Sequence, residues 1–214
     1  MSKNVTEMVF ILDKSGSMYG READTFGGFN AMIDKQREEE GEAIVSTILF
    51  CDESQVIHDR VPVREVGKMT DKEYRPGGCT ALLDAIGDAV RHIRNVHTYA
   101  REEDRPDKTI FVITTDGLEN ASRRYSYEDV KKLIEERQEK DGWEFLFLAA
   151  NIDAVGIAAR VGIREDRAVD FVCDATGLET NYSCVGEAIS SYRNAGAVPR
   201  SWSKKIKEDY RKRK

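Results

Sequence analysis

Cysteine is sparse in this 214-residue chain: Cys51, Cys79, Cys173 and Cys184 are widely scattered and no two form a CxxC pair. Such spacing excludes a disulfide framework, which crowds cysteines into a smaller chain, and predicts reduced, mostly buried thiols. Histidine is scarcer, with three residues, and no two Cys or His stand at zinc-finger spacing. His92 and His97 do not share a helical face and read as surface residues. Long apolar runs are missing too. Stretches such as Phe145–Ala150 fall far short of a bilayer span, which argues against a membrane protein. The start, MSKNVTEMVF, has neither the basic residues nor the cleavage site of a secretory signal, so the cytoplasm is the expected address. Neither an internal repeat nor a low-complexity linker is present.

Catalytic signatures are equally absent. No GxSxG elbow and no GxxxxGK[ST] phosphate loop occurs. The SxxK string Ser201-Trp202-Ser203-Lys204 has no companion motif around it and reads as coincidence. With no nucleophile–base pair in view, a non-enzymatic role is expected.

The composition is 40% hydrophobic and 34% charged, which suits one globular domain with a well-solvated surface. The net charge of -6 is uneven: Lys204–Lys214 holds seven basic and two acidic residues, a balance of +5 that leaves -11 on the rest. An acidic body disfavours nucleic acid, because phosphate contacts need a basic face. We therefore assign residues 1–200 to the domain and 201–214 to a basic C-terminal tail, a solvated chain end that could meet an acidic partner or, weakly, nucleic acid.

Apolar bursts alternate with longer amphipathic stretches, the pattern of an α/β fold. Met8–Leu12 is apolar throughout, as a strand covered on both faces must be. Thr25–Glu40 is helical, with Phe26, Phe29 and Ile33 on one side. Ala43–Phe50 and Gln55–Val63 are joined by a turn too short for a parallel return, so they form a hairpin, and Pro62 places the second at a sheet edge. A helix over Ala81–Tyr99 buries Leu82, Leu83, Ile86, Val90 and Ile93. Strands over Thr109–Thr114, Trp143–Ala150 and Ala168–Val172 alternate with helices at Tyr127–Lys140 and Ala154–Val161, and Asn181–Asn194 forms a final helix. These elements predict a doubly wound, Rossmann-like sheet of six mostly parallel strands, one antiparallel edge strand, and helices on both faces.

Open α/β sheets collect ligands beyond the carboxyl ends of their strands. Asp13, Ser15 and Ser17 follow the first strand; Asp116-Gly117 follows the fourth; Thr80 precedes the long helix. Two carboxylates and three hydroxyls make an oxygen-only donor set, which suits Mg²⁺ or another hard cation, Mn²⁺ or Ca²⁺. Two carboxylates leave a dication roughly neutralised, so an acidic group from outside is still attracted. Gly16 lets the loop bend so that both serines face one point. Thr80 could instead cap the helix, and Lys14 would oppose a cation unless it points outward. Asn151-Ile152-Asp153 lies near the same edge, with Asp153 placed to cap a helix. Tyr19 and Arg21 follow the loop closely enough to touch a ligand.

Asp13-x-Ser15-x-Ser17, then Thr80, then Asp116-Gly117 resembles the metal-ion-dependent adhesion site of von Willebrand factor type A domains, in order and in placement at strand ends. The resemblance spans the strand order of nearly the whole chain and all five positions, and is nearest to compact bacterial and phage-type members. It implies that Ser15, Ser17 and Thr80 ligate the ion directly or through water, that Asp13 and Asp116 anchor it, and that a partner protein's Asp or Glu takes the last position. A Mg²⁺-dependent hydrolase or phosphotransfer enzyme, and a regulatory module with an inactive site, are the competing readings.

Overall fold

The computed structural model describes residues 4–213; residues 1–3 of the assigned domain and 214 of the assigned tail lie outside it. The strands are β1 (Val5–Asp13), β2 (Glu42–Phe50), β3 (Ser54–Pro62), β4 (Lys108–Thr115), β5 (Glu144–Ala150) and β6 (Ala168–Phe171). They form a single sheet in the order β3-β2-β1-β4-β5-β6. All neighbours run parallel except β2 and β3, so β3 is the antiparallel edge strand that its short turn requires. The helices are α1 (Glu22–Glu38), α2 (Leu82–Tyr99), α3 (Tyr127–Asp141), α4 (Ala154–Arg160), α5 (Ala175–Ala195) and α6 (Lys204–Arg213).

The strand pattern decides how the layers form. In β1, Met8, Phe10 and Leu12 join the core shared with α1, α5 and α6, while Val9 and Ile11 join the core shared with α2, α3 and α4. Both faces are covered, which is why the strand carries no polar alternation. Phe10 meets Phe29 of α1 edge-on at 5.4 Å, and Phe111 stacks on Phe145 at 4.8 Å on the opposite face. Burying each such ring contributes roughly 1.5–3 kcal/mol. The five stripe residues of α2 are all buried.

Local signals set the ends of the helices. Ser126 and Asp129 form a reciprocal capping box at the start of α3, and Gly142 ends that helix in the left-handed region at φ 65°. Asp153 and Asp174 cap α4 and α5 by accepting from Gly156 and Gly177. Arg193 of α5, 2% exposed, donates to the carbonyls of Gln36, Glu40 and Gly41, which fastens the end of α1 to α5.

Three sequence expectations need correction. Only Cys184 is fully buried; Cys51 and Cys173 are half-buried and Cys79 is exposed, because the last three lie in loops rather than under the sheet. His97 is only partly exposed, because its ring is engaged inward. Its Nε2 lies 2.5 Å from the fully buried carboxylate of Glu7, which also accepts from Arg60 at 2.7 Å. A carboxylate at that depth must be paired, and its partners arrive from β3 and α2, far away in sequence. Finally, the basic segment is ordered as α6. Trp202 and Ile206 are 6% and 2% exposed, and the Trp202 indole donates to the Asp166 carbonyl at 2.9 Å. Two apolar anchors amid lysines suffice to hold the helix against α5 and β6. Among the described residues, no helix is long and apolar enough to cross a membrane.

Neighbouring glycines of α1 should respond oppositely to alanine. A Cβ on Gly28 would come within 2.3 Å of the Tyr182 ring, whereas one on Gly27 meets nothing within 4 Å. Chemical denaturation should show Gly27→Ala gaining about 0.5–1 kcal/mol from helix propensity and Gly28→Ala losing about 1–3 kcal/mol from overpacking. Equal stabilisation by both would refute the α1–α5 packing.

Candidate metal centre

The order of strands reverses between β1 and β4, and the carboxyl ends of these two strands bound the crevice expected at such a switch point. Asp13 closes β1. Its side chain, 2% exposed, accepts from the Ser15 N–H at 2.7 Å through Oδ1. Through Oδ2 it accepts from the Thr115 hydroxyl at 2.7 Å and the Asp116 N–H at 3.3 Å. One carboxylate thus ties the loop after β1 to the loop after β4. The Asp13 carbonyl is in turn held by the Tyr74 hydroxyl, brought in by the long segment before α2.

That segment also shapes the loop from its other side. Gly16 N–H donates to the Gly78 carbonyl at 3.0 Å, and Gly77 N–H donates to the Lys14 carbonyl at 2.9 Å. These bonds turn Ser15 and Ser17 toward each other, with their hydroxyls 3.1 Å apart, and the Ser17 hydroxyl donates to Asp116 Oδ1. Thr80 is 4% exposed and does not cap α2, whose cap position is Ala81 with no side-chain bond. Asn120 instead grips its backbone from both ends, at 2.8 Å to its N–H and 3.0 Å from its carbonyl. A Cβ on Gly117 would lie 3.3 Å from Thr80 Oγ1 and 3.7 Å from Ser17 Oγ. Gly117 therefore keeps open the small space onto which both hydroxyls converge. Lys14 points outward, its amine donating to Gln55 at 2.8 Å.

The structure thus gathers Ser15, Ser17, Thr80 and Asp116 on one open cleft, with Asp13 directly beneath. Leu118, Asn120, Asn151 and Ile152 complete its lining. Asn151, at φ 60°, directs its amide to the Asp116 carbonyl at 3.5 Å. Burial raises the pKa of Asp116, with the Asp13 charge adding to it, while the bond from Ser17 works the other way. A positive charge is what would relieve two such close carboxylates. The half-buried Cys173 beside them has its thiol pushed up to about 12, first by burial and then by the Asp116 charge.

Among the described residues, no group of three or more His, Cys, Asp or Glu side chains is placed to hold a metal. A hard cation fits what is present: two carboxylates and three hydroxyls with an open side.

Sequence reasoning missed Asn120, Asp84 and Glu119. Asp84 of α2 accepts from the backbone N–H groups of Arg123, Arg124 and Tyr125 at 2.9–3.0 Å. Burial opposes its ionisation, but those bonds outweigh it and hold its pKa below the usual carboxylate range. Glu119 accepts from Leu83, Ala121 and Ser122. Together they pin the loop after β4 on α2. No local motif announces these bonds, since the partners of Asp84 are about 40 residues away.

No protein-family model matches the sequence, and no curated protein does. Solved structures do match. Proximal thread matrix protein 1 of the mussel byssus superposes with a TM-score of 0.59 at 16% identity, over 87% of this chain and 46% of that one. A mutant PilB minor pilin from Streptococcus sanguinis gives 0.61 at 12% identity, over 92% and 62%. The von Willebrand factor type A structure from Catenulispora acidiphila gives 0.59 at 14%, over 87% and 42%. A further form of the mussel protein, at 0.58 and 14% identity, is described as having a zinc-occupied metal-ion-dependent adhesion motif. The chain spans less than two thirds of each of these proteins. At such identities the likeness is one of fold. With the strand order and helix layers described above, the chain shares the fold of the von Willebrand factor type A structure.

Proposed function

We propose that this domain is a metal-dependent protein-binding module, in which a divalent cation at Asp13, Ser15, Ser17, Thr80 and Asp116 coordinates an Asp or Glu of a partner protein. The reading rests chiefly on one observation: four oxygen-bearing side chains line a single open cleft at the switch point, over a fifth that ties their loops together. Mg²⁺ is the ion this hard oxygen set suits best, with Mn²⁺ and Ca²⁺ as alternatives. Bound there, the cation would supply a Lewis-acid centre with room for an external carboxylate. Ser15, Ser17 and Thr80 would hold it without adding charge, and Asp116 would face it. Asp13 would act from below by orienting Ser15 and Asp116. The zinc-occupied motif of the mussel structure is consistent with this use of the fold.

Two large apolar side chains support a protein partner. Tyr19, just after the metal loop, is 66% exposed, and Leu118, just after Asp116-Gly117, is 60% exposed. Exposed apolar groups beside a cleft suit contact with another protein surface. A binding role rather than catalysis is supported by the histidines, each of which is engaged away from the cleft: His58 with Thr47, His92 with Asp59 and His97 with Glu7. The scattered free cysteines suit a cytoplasmic setting.

Calorimetric titration with magnesium and with manganese should give a single-site isotherm, and Asp13→Ala and Asp116→Ala should each lower affinity by at least about 10–100-fold. A wild-type protein that takes up neither of these ions, nor calcium in a parallel titration, would sink the proposal. Magnesium-dependent turnover of a simple phosphate ester, lost in Asp13→Ala, would replace binding with catalysis.

Gly117→Ala provides a subtler check. The added methyl group would crowd the Thr80 hydroxyl and fill the space beside Ser17, so metal affinity should fall about tenfold while the thermal midpoint stays within a few degrees of wild type. Unchanged affinity would mean that the ion does not sit between those hydroxyls.

A further inference from the structure

Helix α6 ends close to the metal loop, through a short series of direct contacts. Met18, one residue beyond Ser17, places its sulfur 3.9 Å from Cys173 Sγ. Arg21 donates through Nε to the Cys173 carbonyl at 2.9 Å. Asp174, the next residue, caps α5 and is paired with Arg213 in the last turn of α6. Arg213 also pairs with Asp209 on its own helix. The basic end of α6 therefore lies on the same edge of the domain as the cleft, with Arg21 between them.

The charges at this edge are unevenly matched. Arg213 pairs with both nearby acids, Asp174 and Asp209, and its single charge offsets one of the two. Lys204 and Lys205, a turn or two earlier, pair with Glu208 and Glu187. Arg211 and Lys212 are exposed and make no ion pair among the described residues. Elsewhere the body is strongly acidic, since the chain carries -6 overall despite the excess of seven basic over two acidic residues in its last eleven positions. An acidic ligand would be repelled by most of this surface and drawn to this edge.

Taking the metal-dependent reading above as its basis, we propose that the carboxylate received at the cleft belongs to an acidic segment of the partner, whose further carboxylates lie along Arg21 and the basic end of α6 at Arg211 and Lys212. The metal position then selects one Asp or Glu by coordination. The α6 edge selects the acidic run around it by charge, and orients that run across the loop between β6 and α5. Arg213 is a positioning residue here, because its own charge is spent on Asp174 and Asp209.

The test uses two labelled synthetic peptides of equal length, each with one Asp, followed in one by a run of glutamates and in the other by a run of glutamines. Binding to the full chain is read by fluorescence anisotropy with magnesium and with chelator, at low and high salt. The glutamate peptide should bind about tenfold more tightly at low salt, as several exposed ion pairs together would give, and the advantage should shrink as salt rises. In the double variant Arg211→Glu/Lys212→Glu the advantage should vanish while the calorimetric affinity for magnesium stays at the wild-type value. Both replaced side chains are exposed and unpaired, and Arg213 is left in place, so the fold is retained; an unchanged thermal midpoint checks this. Equal affinity for the two peptides, or an advantage that survives the double variant, would overturn the α6 proposal. An advantage that needs Arg211 and Lys212 but ignores chelator would instead overturn the metal-dependent reading and leave α6 as an acidic docking edge.

Discussion

The site depends on one buried carboxylate. Asp13 stands at the end of a strand whose neighbours on both sides are packed in apolar core, and it accepts from Ser15, Thr115 and Asp116. A charge so deeply placed is tolerated only if its lone pairs are satisfied. Satisfying them forces the loop after β1 and the loop after β4 into contact across the switch point. Everything else about the cleft follows from that closure: the facing serines, the bond from Ser17 to Asp116, and the space beside Gly117.

Around this joint, the protein arranges supports that never enter the cleft. Tyr74 holds the Asp13 carbonyl, Asn120 holds both ends of Thr80, and Asp84 and Glu119 fix the following loop on α2. Such outer bonds orient ligating groups before a ligand arrives and lower the ordering cost of binding it. They also explain how three hydroxyls from two separate segments can converge without a strongly charged ligand cage. With a dication bound as proposed, the low count of carboxylates would leave the site open to an acid from outside. The Arg21 and α6 edge extends the same electrostatic logic beyond the metal position.

The opposite layer has a different task. The α1 and α5 helices approach closely over Gly28 and are fastened by Arg193. Next to them, α6 rides on Trp202 and Ile206, and its last turn grips the cap of α5. The chain after the last strand is therefore built into the face beside the metal loop, although its composition alone suggests a solvated end.

Much of this could be read from the residues themselves. Continuous apolar runs such as Met8–Leu12 and Thr109–Thr114 require a sheet covered on both sides, and the short polar turn after Phe50 requires the antiparallel edge strand. The position of Asp13, Ser15, Ser17 and Asp116 just beyond buried strands marked the candidate site, because the carboxyl ends of parallel strands share one edge. Those features follow from local periodicity and chain order, which the sequence by itself determines. What only the tertiary structure decided are relations between distant segments. It decided that Thr80 faces the serines rather than capping α2, that Lys14 turns away, that His97 pairs with the buried Glu7, and that Asp84 and Asn120 hold the site from behind. It also decided that α6 packs onto the body. Each of these is a choice among hydrogen-bond or packing partners far apart along the chain, and such choices are made only when the whole core closes.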